Sequence, residues 1–135
     1  MNQNELTEVF SVNMEARDHE CDIQGVVNNA HYQHYFEHAR HRFLLDHQID
    51  FAQLAKQGIN LMVAKIEIEY KSSIRAHDQF RVSLTPHRES RLKVCFEQHI
   101  YSNETDALLA SAKTTVVTVD NQNKPMRNSP LDSLF

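Results

Sequence analysis

The sequence predicts an α+β domain in which an antiparallel five-stranded sheet wraps around one long helix. Three observations carry this. One segment alone, about Ala30 to Asp46, places aromatic and apolar residues at helix spacing over a long stretch. One run of period-two alternation precedes it and four follow it. The links between the later runs are short, which favours antiparallel neighbours. A sheet with one apolar face needs a cover, and this helix is the only long amphipathic element that can supply it.

Phe10, Val12 and Met14 alternate with Ser11, Asn13 and Glu15, so Glu8 to Glu15 reads as a half-buried strand. Arg17 to Val27 reads as a polar loop. In the long helix, Tyr32, Tyr35, Phe36, Ala39 and Phe43 cover one face. Asn28 or Asn29 is its N-cap, because a short side-chain oxygen can accept a free N–H one turn in. Asp50 reads as the N-cap of a short second helix that stops near Gly58. Ile66, Ile68 and Tyr70 then alternate with charged residues, as do Phe80, Val82 and Leu84, and Leu92, Val94 and Phe96. Ala107 to Asp120 ends in a β-branched run. Leu109, Val117 and Val119 put apolar side chains on the second face of this last strand, the pattern of a subunit contact. Residues 121–135, with Pro125 and Pro130, read as an irregular tail of the single domain 1–135.

Composition narrows the function. A net charge of −4 argues against nucleic acid as a partner. Cys21 and Cys95 form no CxxC pair, and lone thiols fit a reducing compartment. Met1 to Glu5 lacks a basic start and an apolar run, and no stretch is apolar enough to span a membrane. A soluble cytoplasmic domain is expected.

The chemistry concentrates in Asp22 to Tyr32. The chain has only 2 glycines, and Gly25 lies between the carboxylate of Asp22 and the start of the long helix. A glycine turn there aims an acid at the positive end of a helix, where free N–H groups can meet a developing negative oxygen. Loop aspartates also cap turns without further role. Cys21 adjoins Asp22, but only His19 stands near it as a base, so it is not read as a nucleophile. His31, His34, His38 and His41 fall in one quadrant opposite the aromatic face; without an HExxH pattern they read as a solvated or interface surface rather than a metal site. Glu37 and Arg40, three apart, read as a helix-surface pair.

The run Asp22-x-x-Gly25-x-Val27-Asn28-Asn29-Ala30-x-Tyr32, continued by Tyr35-Phe36-Glu37-x-Ala39-Arg40, resembles the hotdog-fold thioesterases, and within them the 4-hydroxybenzoyl-CoA thioesterase-like acyl-CoA hydrolases. A weaker match is Glu69-Tyr70 followed by Ile74-Arg75-Ala76-His77-Asp78. The resemblance spans about Glu8 to Asp120. It implies hydrolysis of an acyl-CoA thioester, with Asp22 as general base or nucleophile, Gly25 setting its aim, and the Asn29 N–H polarising the carbonyl. It also implies an acyl pocket using Tyr32 and the partner subunit of a homodimer or homotetramer. Arg88 and Arg91, read as a turn between strands, would contact the coenzyme A phosphates, and Thr114 and Thr115 the pantetheine arm. No metal or redox cofactor is implied; coenzyme A enters only as part of the substrate. The chain departs from relatives that carry histidine where Val26 or Asn29 stands, which leaves the acid route through Asp22. Three rivals stand beside this reading: an acyl carrier protein thioesterase, a hotdog dehydratase or hydratase (whose histidine motif is missing), and a non-catalytic acyl-CoA binder.

Overall fold

A computed structural model describes residues 10–135. Its strands are β1 (Phe10–Glu15), β2 (Asn60–Tyr70), β3 (Gln79–Arg88), β4 (Lys93–Ser102) and β5 (Leu108–Val119). They form one five-stranded antiparallel sheet in the order β1-β3-β4-β5-β2. The long helix α1 (Asn29–Asp46) lies against the sheet, and the short α2 (Phe51–Lys56) follows it. The architecture is the one the two periodicities require. Glu8, Val9 and the segment Met1 to Glu5 lie outside the described residues.

Local chemistry sets the helix ends. The Asn28 side chain accepts the Ala30 N–H at 3.0 Å, which makes Asn28 the N-cap of α1 and Asn29 its first residue. Asp50 caps α2 by accepting the Ala52 N–H at 3.0 Å. Gly58, with φ +80°, lets the chain leave that helix. The predicted apolar face of α1 is buried throughout, with Phe36 and Ala39 at 0% exposure. Tyr35 packs on Phe80 with ring centroids 4.8 Å apart, and Phe43 meets Phe10 at 5.5 Å. No helix among the described residues is long and apolar enough to cross a membrane.

Several expectations are corrected. The tail at 121–135 is not irregular. Ser129 caps a 3-10 turn, Pro130–Leu134, whose Leu131 is 1% exposed in the core beside Phe43 and Phe96. One buried leucine in so short a segment leaves no period to read. Arg88 closes β3 rather than sitting in the turn, and that turn holds Arg91. β2 begins five residues before Lys65, because a bulge between Val63 and Lys65 breaks the alternation. Leu109 and Val119 are buried within the subunit and Val117 is half-buried, so the three form no exposed apolar stripe on β5; the exposed apolar residues Met62, Val63 and Tyr70 are on β2 instead. Arg40 does not pair with Glu37 on the surface. It turns inward, 8% exposed, and donates to Gln98 and Thr114.

Candidate active site

The Asp22 turn is built by its own backbone. The Gly25 N–H donates to the Asp22 carbonyl at 3.0 Å, and the Asp22 N–H to the Val26 carbonyl at 2.8 Å. The Gln24 N–H donates to Asp22 Oδ1 at 2.8 Å, an aspartate turn that fixes the side chain. Gly25 holds φ +80°, the left-handed region that glycine enters without penalty. Asp22 Oδ2 has no hydrogen-bond partner among the described residues; the hydrogen bonds of this side chain all go to Oδ1.

The loop is then pinned to its surroundings. Cys21 and Val27 form an antiparallel bridge, as do Val26 and Arg75. The Val27 N–H donates to the Ile74 carbonyl at 2.7 Å, and the Asn28 N–H to the Glu20 carbonyl at 2.9 Å. Glu20 is itself held: the Tyr35 hydroxyl donates to its Oε1 at 2.7 Å. Burial works to raise the Glu20 pKa, but the Arg17 N–H and the Tyr35 hydroxyl outweigh it and hold the carboxyl below its usual range. Burial first, and then the hydrogen bond to Glu20 and the Glu20 charge, push the Tyr35 phenol far up, so it keeps its proton and remains a donor. The result is a fixed start for α1. Asn29 is the first helical residue, and its N–H has no acceptor among the described residues.

Asp22 and Asn29 line one open recess of about 400 Å3 with Val26, Tyr32, Tyr70 and Ser72. Tyr32 and Tyr70 meet edge to face, 5.0 Å between centroids, and form its aromatic wall. Burial raises the Tyr32 phenol, and a backbone hydrogen bond with Ile74 partly offsets this. Tyr70, Ser72 and Ser73 carry no assigned role in the sequence reading. Tyr70 continues the inward alternation of Ile66 and Ile68, and that was the signal for it. Desolvation, with Asp18 and Asp22 nearby, pushes the Cys21 thiol up, which disfavours the thiolate a nucleophile needs.

The other named residues lie elsewhere in the subunit. Arg88 and Arg91 are at the far end of β3, ~30 Å along the strand from Gln79 at 3.4 Å per residue. Arg88 is committed to the C-terminal turn: it donates to Asp132 and lies over the Phe135 ring at 5.0 Å. Thr114 is 0% exposed and faces α1, whereas Thr115 points to the other side of the sheet toward Glu89. Strand alternation separates these threonines within one subunit. The histidines also divide. His34 and His38 border a hollow with Glu20 and Tyr35, while His41 lies against Phe51 at 4.3 Å. No group of 3 or more His, Cys, Asp or Glu among the described residues is placed to hold a metal ion.

The chain is 31% identical over 122 residues to a chloroplastic acyl-acyl carrier protein thioesterase of Arabidopsis thaliana, covering 90% of this chain and 64% of that one. It therefore spans less than two thirds of that plant relative. It is 28% identical to an acyl-CoA thioester hydrolase of Escherichia coli, over 82% of this chain and 79% of the other. The solved structure of a DHNA-CoA thioesterase from Staphylococcus aureus superposes with a TM-score of 0.80 at 28% identity, over 93% of this chain and 82% of that one. Residues 16–133, which hold the Asp22 turn, the start of α1 and the whole sheet beyond β1, match the thioesterase-like superfamily. With that match, the hotdog architecture and the acid-and-helix recess, the chain belongs to the thioesterase-like superfamily.

Proposed function

We propose that this chain hydrolyses an acyl-CoA thioester to a free acid and coenzyme A. One observation carries the reading: the Asp22 carboxylate and the unpaired Asn29 N–H line the same open recess. A thioester carbonyl placed there points its oxygen at the helix start. Charge gathers on that oxygen as the tetrahedral intermediate forms, and a fixed donor is worth about 2.7–4 kcal/mol of barrier. Asp22 Oδ2 then acts in one of two ways. As a base it takes a proton from the attacking water, and that proton leaves with the thiolate sulfur. As a nucleophile it bonds the acyl carbon while the C–S bond breaks, and water later opens the mixed anhydride. No metal or redox cofactor has a part in either route.

The assembly follows from β2. It is an edge strand of 11 residues, with Met62, Val63 and Tyr70 exposed. Unpaired backbone beside apolar side chains favours pairing with β2 of a second copy. Antiparallel pairing about a two-fold axis brings the Asn60 end of one copy to the Tyr70 end of the other. The turn with Arg91 in one copy then approaches the recess of its partner, where a basic side chain suits the coenzyme A phosphates. Ile23, fully exposed beside Asp22, gains cover in such a pair.

The likeness to the plant enzyme favours a second reading, an acyl carrier protein thioester as substrate. The net charge of −4 weighs against docking an acidic carrier. A panel of acyl-CoA and acyl-carrier substrates with a thiol-reactive dye tests both. Turnover of acyl-CoA that is lost in Asp22→Ala supports the proposal. Full turnover in Asp22→Ala, or binding without thiol release, overturns it.

A further inference from the structure

A hollow of about 190 Å3 opens between α1, α2 and the start of β2. Leu61 and Val63 border it near the Asn60 end of β2, and Tyr70, at the other end of the strand, borders the Asp22 recess. Antiparallel pairing of two β2 strands therefore sets the hollow of one copy against the recess of the other. An acyl group whose thioester lies at Asp22 and Asn29 of one copy runs on into the hollow of its partner. What ends that hollow then decides which acyl groups fit.

The rim and the floor differ in burial. Phe51 and Val63 are exposed at the rim, whereas Leu44, Phe96 and Val116 are buried and form the floor. All three floor residues belong to one packed cluster with Leu131 of the C-terminal turn, and Leu134 packs against that cluster. Leu131 is 1% exposed, yet it does not itself line the hollow. The floor is thus backed by a side chain from the last residues of the chain. That side chain is held in place by groups outside the hollow. The Met126 N–H donates to the Thr118 carbonyl at 2.9 Å, and the Thr118 and Ser129 hydroxyls bond at 2.6 Å. Ser129 Oγ accepts the Leu131 N–H at 3.0 Å, and Arg88 holds Asp132.

We propose that Leu131 is the stop that sets the acyl length this protein accepts, which restricts its substrates to acyl groups of about six to eight carbons or a single ring. An apolar cavity of ~150 Å3 holds benzene, which fixes the scale for this one. A longer chain must either leave methylenes in water or displace a leucine that is already fully packed. Removing side-chain carbons from Leu131 leaves a void behind Phe96 and Leu44. That void collapses only in part, and the remainder becomes depth for the substrate. The proposal rests on the acyl-CoA reading and on the β2 pairing given above.

The test is kcat/KM of the full chain over straight acyl-CoA substrates from acetyl to dodecanoyl. Wild type should rise to hexanoyl or octanoyl and fall at decanoyl. Leu131→Ala should raise the decanoyl-to-hexanoyl ratio by about tenfold, the worth of two further buried methylenes. Leu131→Val, a smaller change that covers the case in which Leu131→Ala fails to fold, should raise it about fourfold. Ile100→Val, at a fully buried site in the other core cluster, should lower stability and leave the ratio at the wild-type value. Loss of stability alone lowers turnover of every length alike, so the ratio separates a stop from a merely structural leucine. Wild type that prefers dodecanoyl, Leu131 variants with the wild-type ratio, or an equal shift in Ile100→Val each overturn the stop while acyl-CoA hydrolysis stands. Wild type that cleaves no acyl-CoA of any length overturns the hydrolase reading and the stop together.

Discussion

Asp22 and Val26 are hydrogen-bonded in both directions. The Asp22 N–H donates to the Val26 carbonyl at 2.8 Å, and the Val26 N–H reaches back to Asp22 Oδ1 at 3.4 Å. This clasp closes the loop over Gly25 and occupies one carboxylate oxygen with backbone donors. The other oxygen stays available to a substrate. A flexible loop would lose conformational freedom at each turnover; here that ordering is done during folding.

The clasp predicts how Gly25 responds to change. A Cβ at Gly25 meets nothing within 4 Å, so Gly25→Ala involves no clash. Only the backbone objects, because φ +80° is unfavourable for alanine by about 1–2 kcal/mol. Gly25→Ala should therefore fold with that loss in urea denaturation, and kcat should fall as Asp22 loses its aim. Wild-type stability would contradict the described turn.

Asn29 separates a backbone role from a side-chain role. Asn29→Ala keeps the N–H and should leave kcat within a few-fold of wild type. Asn29→Pro removes the N–H at a position where proline is favoured, and Asn28, with φ −65° and ψ 140°, already has the conformation that must precede it. Its kcat should drop about 10²–10³-fold with the helix content by circular dichroism unchanged. Equal kcat in the two variants would remove the Asn29 amide from the mechanism.

The Tyr35–Glu20 contact should appear as a pH-dependent stability. The folded state lowers the Glu20 pKa below its ordinary 4.5. Its contribution is present above that value and disappears as pH falls through the lower, folded value. Tyr35→Phe removes the donor and should destabilise by about 1 kcal/mol at pH 7, discounted for the partial exposure of Glu20. Denaturation curves of the two proteins should converge once the pH falls below the lowered, folded pKa of Glu20. A constant gap down to acid pH would assign the effect to packing instead.

The C-terminal turn should behave as part of the core. Leu131→Ala should cost about 2–5 kcal/mol, the usual range for a buried leucine. Arg88→Ala, which breaks a half-exposed contact to Asp132, should cost no more than about 1 kcal/mol. Chemical denaturation of both variants distinguishes them, and similar small losses would mean the turn is not docked in solution.

The sequence by itself determined the helix, its buried face, the inward side of most strands and the acid–glycine–helix motif. Each of these depends on neighbours close in the chain, where periods of 3.6 and 2 and single capping residues are sufficient. Tertiary structure decided the rest. Arg40 and Glu37 have the spacing of a surface pair, yet Gln98 and Thr114, distant in sequence, draw Arg40 inward. The bulge at Val63 and Lys65 hid the first half of β2, because one extra residue resets the alternation. Leu131 completes a core shared with residues of α1, β3, β4 and β5, and no local pattern can announce that. The meeting of Tyr70 with Tyr32 is likewise a product of strand β2 passing the helix start. Contacts made across long loops depend on where the whole chain closes, and a linear reading holds only half of each such pair.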